Sequence, residues 1–218
     1  MEATRPRALY RLAGAGAWLD VACGVAGFLL LLRLAPSQSM IPVDATGVIG
    51  NLALLPLPFA LARRDARNGG ATLALGIVAL VLTICTVIAD AVGIAPDPVR
   101  TILDAAATAL FGAWLLLVNR SGALPGALIR LGRWGGALLL VFALLLVGTA
   151  VTMTFQPEVA EAPQAGSSLT ADSGASPPLA IILLAFANTP ELIWEVFVGG
   201  YLLALADLPD RPLESLHR

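Results

Sequence analysis

Residues 63–94, RRDARNGGATLALGIVALVLTICTVIADAVGI, decide the fold. Three arginines open the stretch, two glycines follow, and no charge occurs from Ala71 until Asp90. An apolar run of that length matches the roughly 20 helical residues needed to cross a hydrocarbon core. The same alternation of arginine cluster and apolar run repeats along all 218 residues. Hydrophobic residues make up 58% of the chain and charged residues 13%, whereas a soluble domain carries about 25% charge. The chain reads as an integral membrane protein.

Six runs are long enough to span: residues 12–32, 43–62, 71–94, 99–118, 134–155 and 179–206. The arginines test that count independently. Arg5, Arg7 and Arg11 precede the first run; Arg63, Arg64 and Arg67 follow the second; Arg120, Arg130 and Arg133 follow the fourth; Arg211 and Arg218 close the chain. All 13 basic residues are arginine, and only Arg33 and Arg100 fall at the other end. Such a bias marks cytoplasmic loops. The expectation is an all-α bundle of six transmembrane helices, one membrane domain over residues 1–218, with both termini cytoplasmic. An uncleaved first span fits better than a secretory leader, because its apolar run is too long for a signal core. Residues 156–178, acidic and rich in Ala, Ser, Gly and Pro, cannot bury a core and read as a flexible exterior loop. Residues 124–133 read as an amphipathic lead-in along the cytoplasmic surface, with Trp134 in the aromatic belt.

Composition also excludes chemistry. The lone histidine, His217, sits in the tail, so haem ligation by histidine, HExxH zinc chemistry and Ser-His triads lack their central residue. Cys23 and Cys85 fall within spans and read as small apolar packing residues. No phosphate-cradling glycine motif is present, and no basic face suits nucleic acid. Neither a cofactor nor a metal is expected.

What remains is a set of polar groups inside the spans. Glu191 and Glu195 lie one helical turn apart, and with Asn188 and Gly199 they form one stripe. A carboxylate at the bilayer centre costs roughly 2.5 kcal/mol or more on insertion scales, so such groups usually face protein or water. Pro190 removes one backbone hydrogen bond beside them. Asp20 shares a face with Gly16 and Gly24, small residues that permit close helix approach. Asp20, Asn51, Asp104, Asn188, Glu191 and Glu195 are read as one internal polar site, with Asp90 at its outer mouth. Arg100 and Asp104, four residues apart, are read as a pair. Span five, without an ionisable residue between Arg133 and Glu158, is read as the most lipid-exposed helix.

Several acids with no deep arginine suit a proton or a cation. The leading reading is a small proton-coupled transporter, or a binder of a cationic or amphiphilic ligand. The same groups also fit plain interhelical hydrogen bonding in an accessory or scaffold subunit that binds another membrane protein. A third reading is an enzyme modifying a lipid or isoprenoid, since paired acids in split environments can exchange protons. PELIWE, residues 190–195, resembles the carboxylate helices of membrane carotenoid cyclases. The sequence favours a role without catalysis, with membrane lipids as its surroundings.

The stretch ALFGAWLLLVNRSGALPGALIRLGRWGGALLL, residues 109–140, resembles an uncharacterised bacterial six-helix membrane family, domain of unknown function four-three-eight-six. Arg120, Ser121, Leu124, Pro125, Gly132, Gly135 and Gly136 carry the likeness. Glu191, Trp194 and Gly199 extend it to the closing helix, and RLAGAGAWLDVACGVAG, residues 11–27, to the first. Spans two and three and the acidic loop stand outside it. The resemblance implies six helices and residence in a bacterial inner membrane, and it supplies no activity.

Overall fold

The computed structural model describes residues 7–33, 41–65, 67–94, 97–120, 124–155 and 178–208. Helix is the regular structure throughout these residues. In chain order the elements are α1 (Arg7–Arg33), α2 (Ile41–Leu54), α3 (Pro56–Ala62), α4 (Gly69–Ala91), α5 (Asp97–Val118), α6 (Gly126–Phe155) and α7 (Pro178–Asp207). Six crossings are long and apolar enough to span a membrane, α2 and α3 together making one. The expected exterior loop lies outside the described residues.

Local chemistry sets the ends and the one break. Pro56 and Pro58 deprive the second span of two amide donors, and it divides at Leu55, whose backbone stays helical at φ −50, ψ −35. The polypeptide therefore continues as a single crossing. The end of α4 is a Schellman turn: Gly93, at φ 66, lets its own N–H reach Asp90 O at 2.9 Å and the Ile94 N–H reach Ala89 O at 3.1 Å. The amphipathic lead-in is not separate from span five. It forms the first turns of the 30-residue α6, where Trp134 is exposed.

The crossings close into a ring in sequence order. α1 packs on the α2–α3 crossing, that crossing on α4, α4 on α5, α5 on α6, α6 on α7, and α7 back on α1. Small residues set the tightest approaches. A Cβ on Gly112 would lie 2.8 Å from Gly136 O, and one on Gly136 would lie 2.7 Å from Gly112 O, so α5 and α6 touch backbone to backbone. The helix with the smallest buried share is α1, at 17% of its apolar window against 28% for α6. This corrects the expectation for span five. Gly132, Gly135 and Gly136 are buried on α6, and a span that carries no charge beyond Arg133 still turns its small residues inward for close packing.

Packing is lopsided along the ring axis. Among the described residues, the large apolar side chains with almost no exposed area are Trp114, Trp194, Leu57, Leu61, Leu80, Leu115, Leu139, Leu202 and Val198. All lie at the midpoint of their crossing or on its arginine-rich side. Beyond the midpoints, the described residues that are buried are small: Gly27, Gly50, Thr86, Ala105, Ala107, Ala143 and Ala150. Among the described residues the large buried side chains thus gather in the arginine-rich half; the side chains of residues 178–188 in α7 lie outside them.

Candidate functional site

The upper edge of that core is where the acids meet. Asp20 is the fourteenth of 27 residues in α1, about 20 Å from either end at 1.5 Å per residue. Glu195 stands near the middle of α7 with 0% of its surface exposed. The two carboxyl groups are within hydrogen-bonding reach of each other, and Glu191, half-buried one turn away, adds a third acid within electrostatic range of both. Among the described residues, no N–H or O–H donor reaches either Glu195 oxygen.

Glycine places these groups. A side chain at Gly50 of α2 would overlap the Asp20 carboxylate, and one at Gly16 would overlap the Ala53 carbonyl. α2 therefore lies so close to α1 that Asp20 is wedged between α2 and α7. On the far side, a Cβ on Gly135 of α6 would lie 3.6 Å from the Glu191 amide nitrogen and 3.7 Å from the Pro190 carbonyl carbon. A small residue thus faces α7 at the turn where Pro190 supplies no N–H.

Aromatic rings pack beside the acids, with Trp194 lying between Glu191 and Glu195 in α7. Trp114 and Trp194 meet edge to face, with ring centroids 6.1 Å apart and planes at 84°, and Phe111 lies 5.1 Å from Trp114. This geometry aligns the positive edge of one ring with the negative face of the other. α7 is tied to the arginine-rich end. Arg11 pairs with Asp207 at 3.0 Å, Arg7 Nη2 donates to Leu208 O at 3.1 Å, and Arg64 Nη2 donates to the Tyr201 hydroxyl at 2.8 Å while lying 5.3 Å over its ring. These guanidinium groups complement the negative end of the α7 dipole. A cavity of about 160 Å³ lined by Tyr10, Arg64, Leu205 and Leu208 opens here, away from the acids.

The other expected site residues separate from this centre. Arg100 pairs with Asp90 across helices at 2.7 Å, and not with Asp104 as the four-residue spacing suggested. The reason is position: Arg100 sits in the first turn of α5, where the C-terminal end of α4 faces it. Asp104 lies beside the Thr86 hydroxyl, within electrostatic range of Arg100 and Asp90, and Asp44 of α2 joins the same group. Asn51 donates from Nδ2 to Gly47 O of its own helix at 2.9 Å. The side chain of Asn188 lies outside the described residues. The acids read from sequence as one site therefore fall into two groups: Asp20, Glu191 and Glu195 at the core edge, and Asp90 and Asp104, joined by Asp44 and Arg100, at the end opposite the arginine-rich one.

Some polar residues carry roles that sequence did not single out. Asp65, buried in the arginine loop, accepts from Arg67 N at 3.1 Å, Asn68 N at 2.9 Å and Thr72 Oγ1 at 3.1 Å. Its place two and three residues before those amides is the signature of an Asx turn, masked by the arginines around it. Asn119, also buried, donates to Leu115 O at 2.7 Å, and Arg133 Nε caps the end of α5 at Asn119 O, 3.2 Å away. No group of three or more Asp, Glu, His or Cys side chains among the described residues is arranged to hold a metal ion. No family profile, curated protein or solved structure matches the chain.

Proposed function

We propose that this chain is a small proton-coupled transporter of a cationic, amphiphilic substrate, in a bacterial inner membrane, with its arginine-rich end in the cytoplasm. The positive-inside bias supports the orientation, and the family resemblance supports the membrane. One observation carries the function: three acids gather near the middle of α1 and α7, at the edge of a core whose described large side chains lie on the arginine-rich side. Such a site is closed towards the arginine-rich side.

The outer group of Asp44, Asp90 and Asp104 carries more negative charge than Arg100 balances, so it draws cations towards the side of the acids away from the arginine-rich end. The inner acids can then exchange a proton for the cargo cation. Ionisable groups of this kind line the ion and proton pathways of pumps and transporters. The apolar and aromatic surroundings suit the hydrophobic part of an amphiphile.

Proteoliposome flux of a lipophilic ammonium dye under an imposed proton gradient tests the reading. Glu191→Gln and Glu195→Gln should each abolish gradient-driven flux while leaving assembly intact. Unchanged flux would refute the proposal. Loss of a co-purifying membrane protein would then identify a scaffold subunit, and an accumulated lipid precursor in cells would identify an enzyme.

A further inference from the structure

The register between α1 and α7 is keyed by contacts that do not involve the acids. Gly14 lies against Gly199, Trp18 Nε1 donates to Val196 O at 3.0 Å, and Gly24 faces Leu192. Two antiparallel helices keyed at these positions bring Asp20 opposite Glu195. The helix register thus sets the two acids against each other.

An ionised carboxylate is an acceptor only, whereas a protonated one has a single O–H to donate. Two ionised carboxylates in contact cannot hydrogen-bond; one proton between them closes the pair. α7 contributes Glu191, α1 contributes Cys23 beside Asp20, α2 presents the backbone at Gly50, and α6 presents Gly135. Arg11 engages Asp207, Arg64 Tyr201, Arg133 Asn119 O and Arg100 Asp90, and no described arginine reaches Glu195. Both oxygens of the buried Glu195 lack any other donor among the described residues.

We propose that Asp20 and Glu195 form the seat of one exchangeable proton, held as an O–H on one carboxyl group and accepted by the other. This deepens the transport reading by naming the coupling ion and its site, and it rests on that reading only for the proton's use. In the exchange the O–H bond breaks, the proton leaves towards the outer half, and the cargo cation balances the charge left on the two carboxylates. Gly50 is the positioning residue, because any side chain there displaces the Asp20 carboxylate.

Infrared difference spectra of the purified protein in nanodiscs, together with mapped labelling by a hydrophobic carbodiimide, test this. The expected result is one protonated-carboxyl band that shifts in D₂O, fades at alkaline pH and is lost in Glu195→Gln. A carbodiimide adduct should form on Glu195 or Asp20, and Gly50→Ala should reduce it with both carboxyl groups still present. Glu195→Asp, which keeps the acid, should retain a protonated-carboxyl band if the folded pair is the source. A band absent at every pH, or one that survives in both Asp20→Asn and Glu195→Gln, would overturn the proposal. Flux without the band sinks the proton seat alone, whereas the band without flux sinks transport alone.

Discussion

Gly14 and Gly199 meet backbone to backbone where α1 crosses α7: a Cβ on Gly14 would lie 2.7 Å from Gly199 O, and a Cβ on Gly199 would lie 2.9 Å from Gly14 O. A methyl at either position must push the helices apart. Gly199→Ala should therefore destabilise the protein by about 1–3 kcal/mol, the usual range for overpacking. Gly148, whose Cβ would meet nothing within 4 Å, is the control. Gly148→Ala should be neutral or stabilise slightly through helix propensity. Unfolding in mixed detergent micelles measures both, and equal losses would show that the crossing is not tight.

The lopsided core predicts a gradient of mutational cost. Leu57 and Leu202 are fully buried on the arginine-rich side, while Leu144 is 72% exposed on α6. Leu57→Ala and Leu202→Ala should each cost about 2 kcal/mol, the lower end of the soluble range, because lipid is itself as apolar as leucine and only packing is lost. Leu144→Ala should stay within about 0.5 kcal/mol. The same unfolding assay checks the order.

The six crossings were legible because hydropathy and arginine segregation are properties of composition along the chain. Asp20 with its small neighbours gave away a packed face. Partner choice was not legible. Arg100 prefers Asp90 on another helix to Asp104 on its own, which depends on how α4 and α5 meet. Asn51 spends its amide on Gly47 O, a local bond that periodicity does not distinguish from a site. The juxtaposition of Asp20 and Glu195 requires the α1–α7 register, which residues 175 apart in sequence do not reveal.

Asp65 predicts a structural loss far from the acids. Its carboxylate accepts two amides and one hydroxyl in the loop between α3 and α4. Asp65→Ala leaves those donors without a partner in a buried turn, at a cost of about 1–3 kcal/mol. Asp65→Asn keeps one side-chain oxygen and should recover part of that. Thermal melting in detergent compares the pair, and equal melting points for both variants would deny the carboxylate this role.

Arg100 offers a functional sign. It is the cation of the outer group, 2.7 Å from Asp90 and partly solvated, with side-chain exposures of 42% and 31%. A pair so exposed contributes little to stability, about 0–1 kcal/mol, so Arg100→Gln should fold normally. Its removal leaves Asp44, Asp90 and Asp104 without a balancing charge and strengthens their pull on a cation. Transport of the lipophilic ammonium dye by Arg100→Gln should therefore show a KM several-fold lower at low ionic strength, with kcat unchanged. Added salt should erase the difference as it screens these groups. A raised KM would mean that Arg100 itself faces the cargo, and the substrate would then be read as an anion.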